Sequence, residues 1–502
     1  VCGKRLQRAL VVGAAVVVTL AAMWTGATPA RSDGPLALPL RIDTRLTLRQ
    51  QFGYAPEYQC NVPTFDPRGR PCIRSRTSSQ HVTDHVQAFG PEGWRCYPLV
   101  AAVRRDYPTF VATVNAGGYV AETVEFDGLG RAYTLLEIRL GDGTLRNVLL
   151  YSLDGCVTWK TVTLPFVRRP PADGRDDGTA TIEHFTGWNA GDEPPLIAVW
   201  RRVSSWPGLR ASRNKLYVIR PCFVGDELRL QTRTLVTTRH LGMVQAAGGA
   251  SFAATSGSTS FIVWTEVAAR KASGSPTFVA ALDRVSGELS RPVRVALAHP
   301  PNDVHTTPGI CLDGQGYLHV VTGAHNRPFR YARSVRPLDA TAWTKPRSVL
   351  RSGFRDSTTD RDGAGKQTYL SFVCLLDDTL VVVARQLRAG VDRVFRGQRY
   401  NVLCLQTKPA GSGWSTARRL VFHKTRPGYA IFFQKLAVDR LGRLFLSLNW
   451  CDPHRYKPAQ RARHRYGHRM VLVSDDRAAS WRFATTGDFT AGMDARAATG
   501  TE

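Results

Sequence analysis

The chain has 502 residues, a net charge of +27 and a pI near 10.2. Hydrophobic residues at 43% and charged residues at 21% support a packed core and exclude wholesale disorder. The length allows several small domains or one large β architecture, and the charge favours polyanionic partners.

The N-terminus reads as a targeting segment. Lys4, Arg5 and Arg8 precede an apolar run from Ala9 to Gly26, and small residues follow as far as Ala30. This is the pattern of a secretory signal peptide over residues 1–30, with an uncleaved N-terminal anchor as the alternative. No later stretch approaches a membrane span, so no other membrane contact is expected. Without the leader the charge is still about +24. Export, outside the cell or to the periplasm, directs such a surface toward acidic polysaccharide and away from nucleic acid. The bland reading is an Arg-rich habit of the lineage. Export also permits disulfides: Cys60 and Cys72 are the expected pair, whereas Cys311, Cys374 and Cys404 sit in apolar strand-like runs and read as buried hydrophobes.

Residues 31–58 form a leading segment. Its "LPLRIDTRLTL" at 39–49 is strand-like and is expected to close a ring by joining the last repeat. From residue 59 a polar turn followed by an apolar or alternating run recurs at Asp66, Asp127, Asp192, Ser256, Asp313, Asp377 and Asp439, at intervals of 57 to 65 residues. A small-residue turn with a tryptophan keeps the same beat at Trp94, Trp159, Trp343, Trp414 and Trp481. Val, Thr, Leu and aromatics punctuated by Gly, Asp and Pro, without long helical periodicity, predict strands. A unit of this length suits four strands with generous loops, and radial repetition of such sheets makes a β-propeller. The expectation is an all-β, seven-bladed propeller of four-stranded antiparallel blades over 59–485, with six blades as the alternative, a flexible tail over 486–502, and a monomeric state.

In the fifth unit, His305 and His325 each lie ten residues from Gln315 in the turn. In a regular antiparallel ladder they would face each other about 5 Å apart. In the sixth unit, Tyr369 and Arg385 each lie eight residues from Asp377, and in the seventh Tyr429 precedes the turn. Three neighbouring blades would thus raise these five side chains on one rim. The group holds no carboxylate, which argues against glycoside hydrolysis by an acid pair, and no Ser or Cys stands in a nucleophile context. His, Tyr and Arg suit proton abstraction beside a carboxylate: Arg stabilises the charge building on the acid, a neutral His or a Tyr removes the α proton, and another protonates the leaving oxygen. On a uronic acid within a polysaccharide this is β-elimination.

Cys451, His454, His464 and His468 follow the spacing C-x2-H-x9-H-x3-H, which suits a closed, structural tetrahedral zinc. The bland reading is a basic loop that contacts a polyanion.

Two stretches, "SLDGCVTW" at 152–159 and "SDDRAASW" at 474–481, resemble the Asp-boxes of sialidase-type propellers, with Cys156 and Ala478 in place of the glycine and Ser480 in place of the threonine. From Asn302 to Trp450 the segments "DVHTTP", "GAHN", "TYLSFV", "VVVAR" and "RPGY" resemble, in order and spacing, those of the BNR-repeat family that includes seven-bladed ulvan lyases. The resemblance implies that His305 and His325 are its paired histidines, Tyr369 its proton-transfer tyrosine, Arg385 the arginine that neutralises the uronate, and Tyr429 a further site tyrosine. "YLSFVCL" departs from it in lacking the Asn-Pro expected after the tyrosine. A sialidase-like glycoside hydrolase is a lesser alternative: it would need three arginines on the substrate carboxylate, a Tyr/Glu nucleophile pair and an early Arg-Ile-Pro-like segment, and no such segment is found. A non-catalytic carbohydrate-binding propeller is the alternative from another class.

Overall fold

The structure, a computed structural model, describes residues 35, 38, 40–42, 63–76, 84–90, 93–114, 123–168, 179–185, 191–205, 212–243, 250–351, 365–388, 400–423, 431–450 and 468–494. Within them the chain forms seven successive sheets of four or more strands, spanning 64–98, 110–168, 179–240, 253–298, 309–348, 366–423 and 431–483, with a small hairpin, Pro221–Val224 and Glu227–Leu230, beside the third. Pairing within each unit is antiparallel.

Each of the seven predicted turns joins two consecutive antiparallel strands of one sheet. At Asp66, Asp127, Asp313 and Asp439 one carboxylate oxygen accepts the backbone N–H groups two and four residues on. The other oxygen pairs with the side chain of Arg70, Arg131 or Arg443 at 2.5 to 2.7 Å in three of them. In the fourth it meets the His319 ring at 2.9 Å. Gly69, Gly130, Gly316 and Gly442 take left-handed φ of +77° to +86° at the fourth turn position, where a side chain would be strained.

Both Asp-boxes fold alike despite their departures. Ser152 and Ser474 each accept the N–H of the residue at the glycine position, Cys156 and Ala478, and Asp154 and Asp476 accept the N–H and hydroxyl of Thr158 and Ser480. Trp159 and Trp481 plug the adjacent core at 4% and 1% exposure.

Alternation along the strands gives each sheet two apolar faces, and seven clusters fill the spaces between neighbours. The first sheet packs on the second, the second on the third, and so on to the sixth on the seventh. The last cluster brings Phe65 of the first sheet against Ala437, Phe445 and Val473 of the seventh. The fold is all-β and propeller-like.

Two expectations are corrected, and one element is new. Leu40–Ile42 adds a parallel strand to the outer edge of the sixth sheet, with Leu40 opposite Val421, and does not join the seventh. Its backbone finds open hydrogen-bonding groups on the Arg418–His423 edge. The tail expected from 486 is docked through Asp494: Thr486–Thr490 forms a short helix whose Phe489 stacks on Phe445, and the Asp494 N–H reaches the Arg68 carbonyl. The helix Leu99–Asp106, unforeseen, buries Leu99, Ala102 and Val103 in the space between the first two sheets.

Candidate functional site

The segment between the fourth and fifth sheets carries Asp303, which sequence analysis passed over. Its side chain accepts from two rings at once: His305 Nδ1 lies 2.7 Å from Oδ1, and His325 Nδ1 lies 2.7 Å from Oδ2. The ring centroids of His305 and His325 are 4.3 Å apart. The two histidines meet as expected, but not as ladder partners. The ladder between Gly309–Leu312 and Leu318–Thr322 ends before either of them. His305 sits in a turn held by the Thr306 hydroxyl on the Asp303 carbonyl. His325–Arg327 leaves the fifth sheet and pairs with the inner strand of the sixth, His325 opposite Thr368.

That crossing brings His325 beside the next pair. Thr368 lies opposite Arg385, and the register slips by one between Thr368 and Leu370, so Tyr369 is a bulge residue. Its φ of +63° is rare for a bulky side chain, and such strain gathers at functional sites. The Gln434 side-chain amide of the seventh sheet donates to its carbonyl and supports the bulge. The Tyr369 ring centroid lies 6.1 Å from that of His305, and the Arg385 guanidinium carbon lies 4.2 Å above the Tyr369 ring. Asp303, His305, His325, Tyr369 and Arg385 therefore form one constellation from the fifth and sixth units. Tyr429, Cys451, His454 and His464 lie outside the described residues. His468 begins the strand His468–Ser474, with its backbone opposite Trp450.

The electrostatics follow from geometry. A carboxylate only accepts hydrogen bonds, so both Nδ1 atoms donate to it, and each neutral ring keeps its lone pair on Nε2. Burial alone would raise the Asp303 carboxyl. The hydrogen bonds from His305 and His325 outweigh that effect and hold it far below the usual carboxylate range. Burial brings the Arg385 guanidinium down to about 10, against the opposing pull of Tyr369. The histidine side chains are 27% and 23% exposed, so a ligand can reach them, whereas Arg385 is buried against the Tyr369 ring. Among the described residues, Asp303, His305 and His325 are also the one group whose donor atoms lie close enough to hold a metal ion.

Beside His325 lies a basic recess. The His325 N–H donates to the His299 carbonyl, and His299, Arg294, Arg330 and Pro346 line a cavity of about 410 Å³ between the fourth and fifth sheets. Burial, with Arg330 and Arg327 nearby, holds His299 below its ordinary value. Among the described residues, neither Arg294 nor Arg330 has a carboxylate partner.

Residues 265–499 match the family described as BNR repeat-containing family members. The match covers 235 of the 502 residues, just under half of the chain. The matched segment includes Asp303, His305, His325, Tyr369 and Arg385. No curated protein sequence matches the chain. Similar solved structures include a polysaccharide lyase titled an ulvan lyase, at 12% identity, 50% of this chain, 58% of that one and a TM-score of 0.34. A Trypanosoma rangeli sialidase bound to sialic acid is similar at 12% identity, 85% of this chain, 58% of that one and a TM-score of 0.39. A protein of unknown function from Dyadobacter fermentans is similar at 12% identity, 69% of this chain, 92% of that one and a TM-score of 0.40. The chain spans 58% of the length of the ulvan lyase and of the sialidase.

Proposed function

We propose that this protein is a secreted, monomeric polysaccharide lyase that cleaves a uronate-containing polymer by β-elimination. The observation that carries the reading is the double hydrogen bond of Asp303, which leaves the lone pair of each ring on Nε2, in a group that also holds Tyr369 and Arg385. A hydrolase acting through an acid pair would need a second carboxylate at the site, and the constellation holds one, already committed to both histidines.

In the reaction, one Nε2 or the Tyr369 oxygen takes the proton from the carbon next to the uronate carboxyl. The electron pair becomes a carbon–carbon double bond, and the glycosidic bond to the neighbouring oxygen breaks. A second group of the set returns a proton to that oxygen. The products are an unsaturated sugar end and a new hydroxyl. Arg385 supplies positive charge against the Tyr369 ring, favouring the charge that builds on the uronate. The basic recess at Arg294 and Arg330 would hold a neighbouring anionic sugar.

The reading includes a closed ring of seven blades, supported by the cyclic order of the seven apolar clusters, and a structural zinc on Cys451, His454, His464 and His468, supported by their spacing. The test is incubation of purified protein with a panel of uronate polymers, following the ultraviolet absorbance of the unsaturated product and its mass. A rise abolished by Tyr369→Phe is expected. Binding to these polymers without any rise would make the protein a carbohydrate-binding propeller instead.

A further inference from the structure

We propose that Cys72 and Cys156 form a disulfide that ties the first sheet to the second. Cys72 lies on the strand Pro71–Arg76 of the first sheet, and Cys156 lies in the Asp-box turn of the second. Their sulfur atoms are 3.6 Å apart, and each residue is 1% exposed within the core that the two sheets share. The expected partner Cys60 lies outside the described residues, and the Cys72 thiol is turned inward to Cys156.

The place of Cys156 is the second observation. It occupies the Asp-box glycine position at φ +77°, where glycine is free of strain and any side chain carries a cost. The seventh sheet fills the same position with alanine at φ +68°. Cysteine adds one atom beyond that alanine, and the atom meets a thiol on the neighbouring sheet. A strained cysteine directed at a second cysteine is the arrangement a cross-link explains.

Bond formation brings the sulfurs to about 2.05 Å, a closure of roughly 1.5 Å that small rotations about both Cα–Cβ bonds can share. One thiolate attacks the disulfide of an exchange partner, a dithiol–disulfide oxidoreductase or oxidised glutathione, forming a mixed disulfide. The other thiolate then displaces the partner's sulfur. Two protons leave the cysteines, and the partner departs as the reduced dithiol or as two glutathione thiols. Burial pushes the Cys72 thiol well up, so thiolate is scarce once the core has closed. The bond therefore forms while the first two sheets are still assembling. It anchors the sheet that also meets the seventh through Phe65, the contact between the two ends of the sheet series.

The test is to produce the full chain in an oxidising compartment, and separately to refold reduced protein with oxidised and reduced glutathione. Each sample is denatured and alkylated with and without prior reduction. Peptide mass mapping is expected to show a Cys72–Cys156 cross-linked peptide in the unreduced samples of both preparations. Quantitative alkylation of both cysteines in folded, unreduced protein would overturn the proposal, as would either one paired elsewhere. The Cys156→Gly variant restores the Asp-box residue and keeps the fold. The parent should melt at least about 5 °C higher oxidised than reduced, and the variant should lose that gap. A gap that persists unchanged in Cys156→Gly also overturns it.

Discussion

The Arg385 guanidinium covers the Tyr369 ring at 4.2 Å, and Tyr369 itself holds a left-handed backbone conformation on a bulge. Tyr369→Phe keeps the ring and the stack and removes only the hydroxyl. It should lower kcat about 100- to 10,000-fold on the responsive polymer while Tm stays within a few degrees of the parent. Steady-state kinetics beside a thermal melt check this, and full activity in Tyr369→Phe would remove the tyrosine from the reaction.

Asp303 fixes both histidine tautomers. In Asp303→Asn the amide nitrogen can only donate, so one ring loses its acceptor and turns or changes tautomer. A loss in kcat of at least about 100-fold, with little change in KM, is the expected outcome. An unchanged pH profile and kcat would show that the two rings need no such anchor.

The same carboxyl sets an acid limit. Its folded value lies below its unfolded value, so its contribution to stability is complete above about pH 4 and is lost as the pH falls through the folded value. The stability difference between parent and Asp303→Asn should therefore be constant near neutrality and shrink below about pH 4. Denaturant melts across that range measure it.

His240 carries a second acid sensitivity, away from the site. It is fully buried, its ring nitrogens have no hydrogen-bond partner among the described residues, and burial lowers it to about 3. A histidine depressed on folding stabilises the native state above its unfolded value near 6.5, and that contribution is lost as the pH falls toward 3. The loss is on the order of 4 kcal/mol. His240→Leu should flatten the acid limb of the stability curve between those values, and a limb of unchanged slope would assign the loss to other groups.

Arg294 and Arg330 line the recess beside His325 without carboxylate partners among the described residues. Replacing both by alanine should raise KM for a polyanionic substrate about 3- to 10-fold, leave kcat near the parent value and weaken the salt dependence of binding. Equal kinetics at low and high ionic strength for parent and variant would exclude the recess as a substrate subsite.

Much of the fold was legible because its signals are local. A turn in which Asp66 or Asp439 closes on its own backbone is written in five consecutive residues, and the two Asp-boxes are complete within eight. The meeting of Tyr369 with Arg385 also followed from counting outward from a turn, since strands advance by a fixed step, whereas His305 and His325 meet beyond the ladder that the counting assumed. What counting missed was any departure from the ladder. Asp303 is an unremarkable loop acid in sequence, and only the closed loop shows it between two rings. The Asp-Val-His spacing, two residues from an acid to a histidine it can hold, was the one available signal.

By itself, then, the sequence determined the repeat: seven turns, alternating strands between them, and the side chains carried near each strand end. Those properties depend on contacts a few residues apart, which composition and order already specify. Only the tertiary structure decided that His325 crosses to the sixth sheet, that Tyr369 is displaced onto a bulge, that Leu40–Ile42 docks on the sixth sheet, and that Cys72 meets Cys156. Each of these is a choice between neighbouring sheets. It is settled by which edge has open backbone groups and which core has room, and both exist only once the sheets are packed together.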